Sequence, residues 1–253
     1  MDTTLRTLAG VLLLLPGMVV LSAIAIGLAL LGGSHQTVHR NAYLAFARFC
    51  LWVGGTDLRV YGADQIDPER AYVIVSNHES NWDPPSLIAG LPLLTRFIVK
   101  QQIMAVPVFG QALRLTGNVI VERNRSREDV ERIRKGMEQR TSGLSMLFFA
   151  EGTRSRDGRL HPFKKGAFAT AISQGLPILP VAVAGTYYVM PPGLIRLRKG
   201  PVVIEIGEPV PVAGFELKDR GVLRDQVFET VSKLRAQAYA RVREEGFPAP
   251  GDL

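Results

Sequence analysis

Cysteine is nearly absent from this chain of 253 residues: its one thiol, Cys50, lies in the apolar run from Leu44 to Val53. No internal disulfide can form, and nothing demands an oxidising compartment. Apolar neighbours raise a thiol pKa and suppress its reactivity, which leaves packing as the reading of Cys50. Histidine is scarce as well, and His35, His39 and His161 show no ligand spacing with His78, whereas a metal site would need further ligands nearby. There is no internal repeat and no low-complexity linker. Acidic residues are the minority, 23 against 30 Lys and Arg, for a formal charge of +7. That balance favours anionic partners, whether nucleic acid, lipid headgroups or phosphorylated metabolites, without choosing among them. An apolar fraction of 47% is ordinary for a folded domain and argues against disorder. The length accommodates one globular domain of about 200 residues plus an extra segment.

The extra segment is at the amino terminus. Leu8 to Gly33 is a run of 26 residues with no charged side chain. As a helix it would extend roughly 39 Å, enough for a hydrocarbon core of about 30 Å, whereas a signal peptide has an apolar core of only about 7–15 residues. Pro16 and Gly17 interrupt the run, where a kink is expected. A second run, Asn41 to Val53, carries Arg48 and ends at Gly54-Gly55; it is too short to cross a bilayer alone. Two arrangements fit: one span followed by an interfacial helix bearing Tyr43, Phe46, Phe49 and Trp52, or a kinked hairpin sunk into one leaflet. Arg6 precedes the long run and Arg40 and Arg48 follow it, so the charges do not orient it. Residues 1–55 are thus expected to be a membrane-embedded helical anchor.

After Gly54 the pattern changes. Short β-branched runs occur at Leu58–Tyr61, Tyr72–Ser76, Phe97–Lys100, Asn118–Val121, Met146–Phe149, Ile178–Val183 and Val202–Ile206. Helical periodicity lies between several of them. One helix is expected to start at Ser126, where Ser126-x-x-Asp129 has the form of a capping box and Val130, Ile133 and Met137 make an apolar stripe. Another, about Arg224 to Glu244, would bury Val227, Val231, Leu234 and Tyr239. Strands alternating with helices predict an α/β fold over residues 56–246, a mixed sheet flanked by helices. The Pro- and Gly-rich segment 247–253 is expected to be a flexible tail.

Three stretches carry chemistry. In Val73 to Pro85 a strand ends near Ser76, and Asp83-Pro84 reads as a helix start with Asp83 at the N-cap and Pro84 at N1. On one continuous helix His78 and Asp83 would be turned about 140° apart; across a strand–loop–helix corner they can meet. A carboxylate on one ring nitrogen fixes the tautomer and frees the other as a general base. The alternative is a plain helix cap beside a polar loop residue. The second stretch, Phe148 to Leu160, runs from a strand into Glu151-Gly152-Thr153-Arg154. Glycine permits a close backbone approach, and Arg154 offers a planar fork for phosphate oxygens. The alternative there is an ordinary turn with a solvated arginine. The third, Gly117 to Arg123, is a strand delivering Arg123 to its end.

In this order and spacing, the stretches resemble the glycerophospholipid acyltransferase family. Asn77-His78-Glu79-Ser80-Asn81-Trp82-Asp83 matches its N-H-x-S-x-x-D block, and Glu151-Gly152-Thr153-Arg154-Ser155 its E-G-T-R-S block. Gly117 to Arg123 looks like the middle block, and Leu179-Pro180-Val181 resembles the fourth, a short apolar turn containing proline. The likeness covers about Asp57 to Glu208. Ala150 stands where the third block commonly has proline, and Glu122 where an aspartate is common.

The resemblance implies direct acyl transfer from an acyl-CoA or acyl carrier protein thioester to the sn-2 hydroxyl of 1-acylglycerol-3-phosphate, giving phosphatidic acid. His78 would be the base and Asp83 its orienting carboxylate, while Arg123, Glu151, Gly152, Thr153 and Arg154 would hold the acceptor's phosphate. Secondary candidates are Asn77, Ser80, Lys100, Gly117, Lys164, Lys165 and Pro180. No metal and no bound cofactor is implied; the thioester is a co-substrate. The expected partners are a lysophospholipid acceptor, the thioester donor and membrane lipids. The expected location is a bacterial inner membrane, with the catalytic domain on the cytoplasmic face where the thioesters are made. The rival readings are the same chemistry on lysophosphatidylglycerol or a lyso-ornithine lipid, and a non-catalytic lipid-binding membrane protein. A nucleic-acid role rests on charge alone and lacks a binding module.

Overall fold

Apolar runs long enough to be covered on both faces become the middle of a sheet, and that is how this chain is organised. A computed structural model describes residues 3–122, 127–138 and 143–250. Its strands are β1 (Thr56–Tyr61), β2 (Val73–Ser76), β3 (Leu94–Lys100), β4 (Val119–Val121), β5 (Leu144–Phe149), β6 (Ile178–Ala184) and β7 (Gly200–Ile206). They form one sheet in the order β1-β7-β6-β2-β5-β3-β4, in which, among the described residues, β6 and β7 pair antiparallel and the other neighbours parallel. The described helices are α1 (Thr3–Leu30), α2 (His35–Val38), α3 (Leu44–Gly54), α4 (Asp83–Gly90), α5 (Phe109–Leu115), α6 (Arg127–Glu138), α7 (Gly166–Gln174), α8 (Thr186–Val189) and α9 (Arg220–Glu244), with a π-helical turn over His39–Tyr43 joining α2 to α3.

The helices cover both faces of the sheet, so the fold is α/β with a mixed sheet. Leu87 and Ile88 of α4 pack on one face with Ile74 of β2 and Leu147 of β5. Phe168 of α7 and Leu223, Val227 and Val231 of α9 pack on the other, against Val73, Val75, Met146 and Phe148. The chain therefore leaves β2 toward one face and β5, its neighbour, toward the opposite face. Where two adjacent parallel strands send their connections to opposite faces, a crevice opens beyond their C-terminal ends.

Two sequence expectations change in detail. Pro180 lies not in a turn but inside β6, whose residues are all buried. It is tolerated because the partner strand bulges there: Val181 pairs with Ile206 while Ile178 bridges Val210, one residue more on that side. The segment 247–250 does not fray: the Phe247 ring meets Tyr188 edge-on at 5.5 Å, and Ala249 is buried. The capping box rests on Ser126, outside the described residues, as are the side chains of Val130 and Met137; Ile133 packs at the edge of the second core.

α1 runs unbroken through Pro16. It is long and apolar enough to cross a membrane, with a mean hydropathy of 2.6 over its most apolar window and only 11% of that window buried. Its inner side packs on the domain from Arg6, which donates to the Gly54 carbonyl at 3.4 Å, to Ala25, which is buried with Val38, Ala42 and Ala112. Between them Gly17 is needed because a Cβ there would strike the Phe49 ring. Its outer side exposes Leu8, Leu12, Leu15 and Val20, an apolar surface that associates with a membrane. Trp52 of α3 is 71% exposed beside it, as an interfacial aromatic is. Cys50 is buried in the core on the other side of α3, where burial pushes its thiol up to about 12.

Candidate active site

β2 stops at Ser76, and the amide of Asn77 continues its pairing in side-chain form. Nδ2 donates to the Val183 carbonyl at 2.8 Å and Oδ1 accepts from the Val183 N–H at 2.9 Å. The next residue, His78, is thereby fixed at the mouth of the crevice. Its Nδ1 lies 2.7 Å from Asp83 Oδ2. The sequence reading put Asp83 at the N-cap, but Trp82 occupies that place and Asp83 is the first helical residue. Its carboxylate does not cap α4. It turns back to the loop, where Oδ2 also accepts the Glu79 N–H at 2.7 Å and the Ser80 N–H at 2.9 Å. One buried oxygen thus collects three donors, which excludes the reading of Asp83 as a helix cap alone. A carboxylate on Nδ1 takes that nitrogen's proton as donor and leaves Nε2 with its lone pair outward, the state a general base requires. The ring is clamped against Phe149, with centroids 3.8 Å apart and planes 15° apart.

The loop after β5 grips the backbone of the same histidine. Glu151 Oε1 accepts the His78 N–H at 2.7 Å, and the Ser155 N–H donates to the His78 carbonyl at 2.8 Å. Glu151 Oε2 accepts the His161 N–H at 3.0 Å. Both oxygens of Glu151 are therefore engaged by backbone N–H groups, which ties the loop after β5 to the His78 loop. Burial pushes Glu151 up to about 7, because a carboxylate removed from water favours its neutral form. The folded state then binds this proton more tightly than the unfolded chain, where a glutamate titrates near 4.5. The stabilisation is complete below about 4.5 and is lost as pH rises through about 7. The thermal midpoint of the wild type is expected to fall over this window, and Glu151→Gln to fall less steeply. Equal slopes in melting curves at several pH values would contradict this role for Glu151.

The remaining expected residues divide by position. Gly152 has φ +79°, and the Lys164 side chain crosses directly over it where a Cβ would stand. Thr153 is exposed and Arg154 half-buried in the same loop, and among the described residues Arg154 has no ion pair. Lys165 is exposed before α7. Ser80 is buried and staples the loop, donating from Oγ to the Met190 carbonyl at 2.6 Å. Lys100 ends β3 at the same end of the sheet as His78. Gly117 precedes β4, beside His35 and Arg96 at the opposite end of the sheet, and Pro180 lies within β6 at the level of Val75. The structure does not bring these last two to His78. Arg123 lies outside the described residues.

The sequence reading missed Glu79, Arg235, Phe149 and the polar role of Tyr239. Glu79 is 1% exposed. Its Oε1 accepts from Arg235 Nε at 2.7 Å, and its Oε2 accepts from the Tyr239 hydroxyl. The available signal is periodic: Arg235 stands four residues after Val231 and four before Tyr239, on the face that those two bury.

A family model described as Acyltransferase matches residues 57–184, the stretch that contains His78, Asp83 and the Glu151–Ser155 loop. The chloroplastic 1-acyl-sn-glycerol-3-phosphate acyltransferase BAT2 of Brassica napus is 42% identical over 139 residues, 54% of this chain and 40% of that protein. The 1-acyl-sn-glycerol-3-phosphate acyltransferase of Salmonella typhimurium is 33% identical over 175 residues, 68% of this chain and 67% of that protein. The chain thus spans about two fifths of the length of the chloroplast relative and two thirds of the bacterial one. The crystal structure of the 1-acyl-sn-glycerophosphate (LPA) acyltransferase PlsC from Thermotoga maritima superposes with a TM-score of 0.76 at 26% identity, covering 92% of this chain and 96% of that one.

Proposed function

Because the chain belongs to the acyltransferase family, we propose that it moves a fatty acyl group from a thioester to the sn-2 hydroxyl of 1-acylglycerol-3-phosphate, giving phosphatidic acid. The observation that carries this reading is the Nδ1–Asp83 bond of 2.7 Å, which leaves His78 with one free basic nitrogen at the crevice mouth. The names of the relatives support the same acceptor.

His78 Nε2 takes the proton of the acceptor hydroxyl as its oxygen forms a bond to the thioester carbonyl carbon. The tetrahedral intermediate then expels the thiolate, which recovers the proton from the imidazolium. Asp83 stabilises that imidazolium through Nδ1 and holds the ring in line. Arg154, together with Lys164 lying over Gly152 of the same loop, binds the acceptor's phosphate, so that binding energy at the headgroup orients the hydroxyl. Acyl-CoA or acyl carrier protein supplies the acyl group as co-substrate. The acceptor and product are bilayer lipids, which gives α1 its purpose. We place the protein on the cytoplasmic face of a bacterial inner membrane, where both thioesters are made.

A charge-assisted bond to phosphate contributes about 1.5–3 kcal/mol. Arg154→Ala is therefore expected to raise the acceptor KM about 10- to 100-fold and to lower kcat less. The proposal is tested by kcat/KM for lysophosphatidic acid, lysophosphatidylglycerol and a lyso-ornithine lipid, with the protein in vesicles. Preference for the first supports the acceptor; preference for either of the others keeps the chemistry and replaces the acceptor.

A further inference from the structure

The acyl-transfer steps leave buried Glu79 and its partner Arg235 unused, and the position of the pair is informative. Glu79 lies between His78 and Ser80. Its N–H is one of the three donors on Asp83 Oδ2, while its side chain points the other way, into α9. Arg235 Nε holds Glu79 Oε1 at 2.7 Å, and Arg235 Nη2 donates to the Gly158 carbonyl at 2.5 Å. Gly158 belongs to the loop whose Ser155 N–H holds the His78 carbonyl. The contacts close a ring: from His78 to Glu79, across to Arg235, on to Gly158, and back through Ser155 to His78. The Arg235 guanidinium lies over the Tyr239 ring at 4.6 Å, which keeps its fork from turning. Gly158 is backed from outside by Pro250.

We propose that Arg235 and Tyr239 are positioning residues that act through Glu79, and that Arg235 locks the base loop and the acceptor loop to each other. This rests on the acyl-transfer reading of the His78 site. For stability alone a buried ion pair has little merit, since a well-packed apolar pair does as well or better. Here the fork gives what an apolar pair cannot: two directed bonds to two different loops. When Arg235 is lost, the Glu79 carboxylate is buried without its counter-charge. It must take up a proton or reach water, and a shift of the 78–80 backbone that lets it reach water lifts the Glu79 N–H from Asp83.

The test uses the full chain in vesicles with four variants: Arg235→Met, Glu79→Gln, the double variant, and Tyr239→Phe. Amide hydrogen exchange is followed in peptides covering 77–83, 155–160 and, as a reference, β1 and β7. Arg235→Met is expected to speed exchange in both loop peptides and not in the reference, and to lower kcat about 30-fold or more. The double variant, whose neutral amide needs no counter-charge, is expected to regain at least about tenfold over Arg235→Met. Tyr239→Phe removes a hydroxyl that does not touch Gly158, so exchange should rise at 77–83 alone. That variant carries the test if Arg235→Met does not fold. Exchange that rises evenly along the chain or not at all, or a double variant no more active than Arg235→Met, overturns the proposal. If the wild type transfers no acyl group to any acceptor, the function assigned above fails, while the exchange pattern still decides the positioning claim.

Discussion

Replacing His78 by alanine is expected to lower the rate of acyl transfer by about 10²–10⁴-fold, the usual contribution of a positioned general base, while the protein stays folded. Among the described residues the imidazole makes one hydrogen bond and one ring contact. The backbone bonds that set the loop, to Glu151 and from Ser155, remain in the variant. A hydroxyl without a base is a poor nucleophile, and the Cys50 thiol is buried in the core. Initial rates beside a thermal melt check the point. Activity lost together with the folded state would say nothing of chemistry, whereas activity retained in folded protein would remove His78 from the mechanism.

Asp83→Asn separates geometry from charge. Oδ2 carries all three donors, and Oδ1 is buried with no hydrogen bond among the described residues. An asparagine can set its oxygen in the place of Oδ2 and its NH₂ in the place of Oδ1, so the loop keeps its bonds. The NH₂ is then an unpartnered buried donor, a cost of about 1–3 kcal/mol. The larger effect falls on the reaction, because a neutral amide does not stabilise the imidazolium. A fall in kcat of about 10²–10⁴-fold with little change in the acceptor KM is expected. A fall confined to KM would mean that Asp83 shapes the acceptor site and not the base.

Much of this was legible before any coordinates, for local reasons. The runs of β2, β6 and β7 became strands because their residues suit a surface buried on both sides, while β1 at the sheet edge is only partly buried. The strand starts were misjudged where polar residues intervene: β3 begins at Leu94 rather than at Phe97 because Thr95 and Arg96 are strand residues. The His78–Asp83 pair was legible because a strand end and a helix start five residues apart leave only a corner between them. The role of Glu151 was not. It depends on β5 lying beside β2, a pairing between residues about seventy positions apart that no local pattern encodes. Asp83 at the first helical position, rather than at the cap, depends on three donors that become neighbours only in the fold. Arg235 is the instructive miss: a charge on a buried helical face is visible in the sequence, but its partner Glu79 lies 156 positions away.

The most direct measurement is the initial rate of phosphatidic acid formation from lysophosphatidic acid and a labelled acyl thioester, with the wild-type chain and His78→Ala reconstituted in vesicles. The account predicts label in phosphatidic acid with the wild type and a rate lower by at least about a hundredfold with the variant. Equal rates from the two folded proteins, or label delivered to no lysolipid by the wild type, would contradict it.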